Sequence, residues 1–134
     1  MSPDHTVNCM FKMKADSLTP ILRTWDFTVT IEFYKNVLGF ECKNYEPDWG
    51  WATLTFEAIV VMFSGPNEHE GDKAPSFTGS LYFSVNDVDN LWTQLKDKAR
   101  VCYQLETFEY GMREFGIYDN NGYLLQFGQD ISKE

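Results

Sequence analysis

The chain has 134 residues, 43% of them hydrophobic, which is enough for one domain with its own core and too short for two ordinary independent domains. Its formal net charge of −9 argues against nucleic acid as a partner, because that binding depends on Lys and Arg side chains that neutralise phosphates. Three cysteines without CxxC spacing, and no apolar run of signal-peptide or membrane-span length, predict a cytoplasmic protein with reduced thiols and no membrane partner.

The first half of the chain predicts one strand, one helix and three further strands. Residues 1–16 are aperiodic and predict an N-terminal tail or arm, whereas 17–24 has the apolar content of a strand. Asp26 is a suitable N-cap for a helix that ends before Gly39. The three strands that follow are expected at 40–45, 51–56 and 58–63.

The second half repeats this order after a polar linker. Residues 65–77 contain several Gly and Pro residues and predict a loop. A strand at 79–85 precedes a helix with apolar residues at helical spacing, and Asn86 is its expected N-cap. The last three strands are expected at 101–106, 112–118 and 123–128, with the hairpin turn Asp-Asn-Asn-Gly between the final two.

The two halves also match each other as an internal repeat. Asp26 corresponds to Asp87 and Trp49 to Tyr110, an offset of 61 residues in both cases, although most matches are of residue character and two unrelated halves would give a similar pattern. The predicted fold class is α+β, with two tandem βαβββ modules. Module one covers 17–64, the linker 65–77 and module two 78–128, within a single domain of 17–130.

Two stretches carry a resemblance to a known family. The segment Phe-Tyr-Lys-Asn-Val-Leu-Gly-Phe at 33–40 and the segment at 110–127, which contains the Asp-Asn-Asn-Gly turn, resemble a helix-to-strand junction and a closing hairpin. Both are similar to those of the vicinal oxygen chelate superfamily, which includes glyoxalases, bleomycin-resistance proteins and dioxygenases. The resemblance covers roughly 17–128 and implies curved mixed sheets around a cleft, commonly completed in a homodimer.

The resemblance also implies where a metal site would lie. In metal-dependent members, His, Glu or Gln ligands come from the first and last strands of each module. The corresponding positions here are Thr19, Met62, Ser80 and Gln126. Only Gln126 is a ligand of the usual kind, and a divalent metal needs several converging ligands, so we expect no metal and no cofactor. His5 and His69 lie in the tail and the linker, where we expect exposed side chains.

Strand alternation assigns side chains to the two faces of each sheet. The inner strands are expected to direct Leu54, Phe56, Phe115 and Ile117 towards the helices. The residues that alternate with these, Trp51, Thr53, Met112 and Glu114, are then expected to face the cleft. Trp49 and Tyr110, in the turns before the inner strands, are expected at its rim. The predicted ligand-binding set is Arg23, Trp49, Trp51, Met62, Tyr82, Tyr110, Met112, Glu114 and Gln126.

Arg23 and Glu114 carry opposite charges within this set. We expect them to form an ion pair, because an unpaired buried charge is costly. Alternatively, Glu114 binds a cationic ligand, or acts as a general base if a reaction occurs. No Ser-His-Asp, Cys-His or phosphate-binding glycine motif can be assembled from the sequence.

The sequence favours binding without catalysis. The leading hypothesis is a metal-independent protein of the bleomycin-resistance type, a homodimer that sequesters a small cationic or amphipathic, antibiotic-like ligand, with aromatic side chains at 16% of the chain available for cation–π contacts. The alternative is a glyoxalase-like or dioxygenase-like lyase or isomerase of unknown substrate, which uses a cleft acid such as Glu114 or a metal bound away from the family positions. A third possibility is an interaction module whose cleft is filled by its own side chains or by residues 1–16.

Overall fold

The computed structural model describes residues 13–67, 71 and 73–132. Each half contains one strand, one helix and three strands. The first half consists of β1 (Ile21–Arg23), α1 (Phe27–Asn36), β2 (Glu41–Glu46), β3 (Trp51–Phe56) and β4 (Ile59–Ser64). The second half consists of β5 (Ser80–Ser84), α2 (Val88–Leu95), β6 (Arg100–Thr107), β7 (Met112–Tyr118) and β8 (Leu124–Asp130). No helix in these described ranges is long and apolar enough to cross a membrane.

Each half forms its own four-stranded mixed sheet. The first sheet has the order β1-β4-β3-β2 and the second the order β5-β8-β7-β6. In both, the first and last strands of the half are parallel neighbours and the other pairs are antiparallel. The predicted α+β class with two tandem βαβββ modules is therefore confirmed.

Strand register shows which residues of the two sheets are equivalent. Ile21 in β1 pairs with Met62 in β4, and Tyr82 in β5 pairs with Gln126 in β8. If the sequence offset of 61 makes Ile21 equivalent to Tyr82, their strand partners Met62 and Gln126 are equivalent at an offset of 64, because the second half has longer strands β6, β7 and β8 and a longer final turn. The same register makes Trp51, opposite Ser64, the counterpart of Glu114, opposite Gly128.

The ends of several elements differ from the sequence prediction. β1 has only three residues, because Pro20 has no N–H to donate and only its carbonyl pairs, accepting from the Met62 amide at 2.9 Å. The N-cap of α2 is Asp87 and not Asn86, since the Asp87 carboxylate accepts the Asn90 amide at 3.3 Å. The N-cap of α1 is Asp26, as predicted.

The core is continuous across both halves and lies on the helix side of the two sheets. Leu54, Phe115 and Ile117 are fully buried there, as predicted. Phe56 belongs to the same predicted set but remains 41% exposed, because it ends β3 and packs against Phe40 at a centroid distance of 5.7 Å near the surface.

A buried polar network joins the first half to the turn between β7 and β8. Tyr34 in α1 donates a hydrogen bond to Asp119 at 2.7 Å, and Tyr123 donates to the backbone carbonyl of Arg23 at 2.6 Å. The two halves are therefore connected by specific hydrogen bonds as well as by apolar packing.

Part of the sequence prediction falls outside the described residues. Residues 1–12, which make up most of the predicted tail or arm, are among them, as are His5 and His69. The expectations for these residues remain predictions.

Candidate functional site

The second sheet has two chemically different faces. Phe115 and Ile117 of β7 point to the core, so their neighbours Glu114 and Gly116 point to the side opposite α2. We call this side the open face. It is formed by Ser80, Tyr82, Tyr103, Met112, Glu114, Gly116, Leu124, Gln126 and Gly128.

Glu114 lies at the centre of the open face and is only 4% exposed. One carboxylate oxygen accepts a hydrogen bond from the Tyr82 hydroxyl at 2.8 Å, and the other accepts one from the Tyr103 hydroxyl at 2.6 Å. Within the described ranges no Lys or Arg side chain pairs with Glu114, whereas Arg113, its neighbour in β7, pairs with Asp89 at 2.9 Å on the opposite face. The buried carboxylate is thus held by neutral donors.

The two tyrosines remain protonated at neutral pH. Burial raises the pKa of Tyr82 and of Tyr103 far above the usual tyrosine value, and the hydrogen bond to the Glu114 carboxylate raises both further. Each hydroxyl is therefore a permanent donor to Glu114.

Two glycines make room for these rings. A Cβ atom at Gly128 would collide with the Tyr82 hydroxyl, and one at Gly116 would lie 2.5 Å from the ring of Tyr103. Because any larger residue would push a tyrosine off the sheet, the arrangement around Glu114 depends on glycine at both positions.

Gln126 and Ser80 extend the polar network. The Ser80 hydroxyl donates to the Gln126 side-chain oxygen at 2.5 Å, and the Gln126 amide nitrogen donates to the Tyr103 hydroxyl at 3.0 Å. A chain of hydrogen bonds therefore runs across all four strands of the sheet, with Glu114 as the acidic member.

An aromatic ridge borders Glu114 at the turn between β6 and β7, formed by Tyr103, Phe108 and Tyr110. Phe108 and Tyr110 stack with centroids 5.5 Å apart and planes within 5° of parallel, and Phe108 meets Tyr103 edge-on at 6.1 Å. Tyr110 is 65% exposed, so its ring is available for contact with a ligand.

A family model decides the classification of the chain. The model of the Glyoxalase/Bleomycin resistance protein/Dioxygenase superfamily matches residues 4–127. The chain belongs to this superfamily. No curated protein sequence matches it significantly.

Solved structures share the superfamily fold with this chain. A glyoxalase/bleomycin resistance protein/dioxygenase from Nocardioides aligns with a TM-score of 0.75 and 13% identity, covering 93% of this chain and 89% of that one. A protein of unknown function from Agrobacterium tumefaciens aligns with a TM-score of 0.70 and 19% identity, covering 90% of this chain and 98% of that one. TioX from Micromonospora sp. ML1 aligns with a TM-score of 0.68 and 20% identity, covering 87% of this chain and 99% of that one. At these identities the similarity shows the fold alone.

The superfamily's metal positions do not hold a suitable donor set here. The Gln126 oxygen already accepts from Ser80, and the first half offers only a hydroxyl at Thr19 and a thioether at Met62. No group of three or more His, Cys, Asp or Glu side chains is gathered in the described part of the chain. Hydroxyl, thioether and a single amide oxygen do not supply the imidazole, thiolate or carboxylate ligands that hold zinc or iron, so these positions do not fit such a metal.

The expected ion pair between Arg23 and Glu114 is wrong. Arg23 is 9% exposed and donates to the carbonyl of Gly71 at 3.0 Å, in the segment between β4 and β5. Glu114 lies in the other sheet and is bound by tyrosines. The sequence assigned the two residues to different modules, but it did not show that each finds its partners within or beside its own half.

The other predicted site residues fall into two groups. Met112, Tyr82 and Gln126 lie on the open face with Glu114, and Tyr110 belongs to the aromatic ridge. The remaining residues lie in or beside the first sheet, where Trp51 and Met62 are half-buried and Trp49 is 80% exposed at the turn before β3; no hydrogen bond or ring contact between described residues links them to Glu114.

Sequence reasoning missed Tyr103 and the two glycines beneath the tyrosines. The pairing of β6 with β7 shifts register on both sides of Tyr103, so simple alternation does not predict its direction. The glycines carried a usable signal, because an isolated glycine in a strand often marks a close approach.

Proposed function

We propose that this protein binds a small organic cation on the open face, with Glu114 as the charge partner and without a metal. The observation that carries this proposal is the burial of the Glu114 carboxylate between two hydroxyl donors, with no cationic partner in the described part of the chain. Burying a charge without an opposite charge is unfavourable, and a cationic ligand would offset that cost.

The aromatic ridge supports a ligand whose cation is planar or N-alkylated. Tyrosine faces attract such cations through the ring quadrupole, and the exposed ring of Tyr110 lies next to the acidic centre. The net charge of −9 also favours the approach of cations over anions. An antibiotic-like amphipathic cation has the required chemistry.

We further propose that a homodimer completes the site, in the cytoplasm. Exposed apolar side chains on the first half support this, with Ile21 61% exposed on edge strand β1 and Trp49 80% exposed. Cys42 and Cys102 are free thiols, which suit a reducing compartment. Light scattering coupled to size-exclusion chromatography tests the proposed dimer: a mass near 16 kDa would contradict it, since one chain has a mass of 15.6 kDa.

A second candidate is an enzyme of the lyase or isomerase type. The observation that favours it is the direct contact of Glu114 with two hydroxyls that stay protonated, which puts a base beside proton donors. The bound compound would then be recovered altered, and mass spectrometry of the ligand after incubation distinguishes this candidate from simple binding.

Calorimetric titration with three probes tests the binding proposal: metal-free bleomycin, the planar cation acridine orange, and the anion 1-anilinonaphthalene-8-sulfonate. We expect at least one cation to bind. Glu114→Gln should weaken the affinity for that cation by about 30-fold or more, because a desolvated charge pair is lost. Glu109→Gln, the same charge change on the exposed turn beside Tyr110, is the matched control. Equal effects of the two substitutions, or binding of the anion alone, would overturn the proposal.

A further inference from the structure

A cavity lies between the two halves, on the helix side of the second sheet. Its volume is about 430 Å³, within the range of small-molecule sites. Neither Glu114 nor the tyrosines bound to it line this cavity, which instead borders α2 and the turn between β3 and β4. It is therefore separate from the open face.

Four phenylalanines contribute to the wall of this cavity. Phe40 and Phe56 come from the first half, Phe83 and Phe127 from the second. Phe40 and Phe83 meet at 6.5 Å across the boundary, and Phe83 stacks on Phe127 at 5.0 Å. Phe56 is 41% exposed, so apolar surface remains that a bound molecule would cover.

The mouth of the cavity carries negative charge. Glu57 and Asp87 line it, and the lining residues within the described ranges include no Lys, Arg or His. These two are also the non-glycine residues in the described ranges with positive φ, at 53° and 37°. Residues other than Gly, Asn and Asp rarely adopt a positive φ. Glu57 does so in the tight turn between β3 and β4, where glycine would fit with less strain.

We propose that this cavity binds an amphipathic amine. Its apolar body would lie against the four phenylalanines, and its ammonium group would pair with Glu57 at the mouth, with Asp87 adding to the negative potential. An anionic amphiphile of equal length would meet repulsion at the same place, and a neutral one would gain no ion pair. The proposal is independent of ligand binding at Glu114.

Matched eight-carbon probes test the charge preference. Octylammonium, octanoate and octanol are titrated below their aggregation concentrations, with binding followed by calorimetry and located by amide chemical shifts in two-dimensional NMR. We expect octylammonium to bind most tightly and to shift the amides of Phe83, Asn90 and Leu91, which line the cavity. Octanoate binding as tightly as octylammonium would overturn the proposal.

Substitutions of acidic residues test where the ammonium group binds. Glu57→Gln is expected to weaken the affinity for octylammonium by about fivefold, as for a partly exposed ion pair. The matched control is Glu32→Gln on the exposed side of α1, which changes the net charge equally and leaves affinity unchanged. Equal effects of the Glu57 and Glu32 substitutions, or shifts of open-face amides in place of those of Phe83, Asn90 and Leu91, would show that the amine binds elsewhere and refute the proposal.

Discussion

The hydroxyl of Tyr34 and the carboxylate of Asp119 form a buried hydrogen bond of 2.7 Å that links α1 of the first half to the β7–β8 turn of the second. The other oxygen of Asp119 accepts the backbone amides of Asn121 and Tyr123 at 2.8 and 2.9 Å. One carboxylate therefore both closes the turn and binds it to the other half.

Tyr34→Phe removes the hydroxyl and leaves one oxygen of a buried carboxylate without that donor. We expect the free energy of unfolding to fall by about 1–3 kcal/mol, measured by urea denaturation. Tyr45→Phe is the control, because Tyr45 is 40% exposed on β2. A similar small change in both variants would mean that the contact does not stabilise the fold.

The pH dependence of stability should report on Asp119. Burial raises the pKa of Asp119, and the hydrogen bonds from Tyr34 and the backbone only partly offset this effect. The folded state therefore binds a proton more tightly than the unfolded state, so stability falls as pH rises from about 4 through the raised pKa and then levels off. The Asp119→Asn variant has no titrating carboxyl group at this position, so it lacks this fall in stability with pH. The unfolding free energy of the variant minus that of the parent should rise with pH over this window, and a constant difference would contradict the assignment.

Gly128→Ala should disturb the open face through Tyr82. The added methyl collides with the Tyr82 hydroxyl, so we expect a loss of about 1–3 kcal/mol in stability and weaker binding of any cation at Glu114. In a Tyr82→Ala background the same substitution should be nearly neutral, since the colliding ring is gone. An equal penalty in both backgrounds would place its cause elsewhere.

Alkaline titration should reveal the protected tyrosines. The pKa values of Tyr82 and Tyr103 are raised above the ordinary value near 10 by burial and by Glu114, so the folded protein keeps these protons longer than the unfolded chain. Stability should therefore decline as pH rises above about 10. Absorbance of phenolate at 295 nm should show that the Tyr82→Phe, Tyr103→Phe double variant titrates like the parent near pH 10 and forms less phenolate only at higher pH. Loss of phenolate signal near pH 10 in the double variant would contradict the raised pKa values.

The sequence was sufficient for the order of strands and helices because hydrophobic periodicity changes clearly between them. The bounds of β3 and β7 match the predicted ones, although β3 alternates buried and half-buried residues while β7 buries four consecutive residues, including Glu114. Alternation also put Tyr82 and Glu114 on one face, and the structure brings them into contact. It failed where the ladder is irregular, as at Tyr103, and it did not predict the partner of Arg23, which is a backbone carbonyl in the segment between β4 and β5.

The two sheets present different side chains at equivalent positions. Where the second sheet presents Glu114, Tyr82 and Gln126, the first presents Trp51, Ile21 and Met62. The first half is apolar at positions where the second half is polar and carries one acidic side chain. A ligand that contacted both surfaces would place its cationic end on the second sheet and its apolar end on the first, whereas two identical halves would impose no such direction.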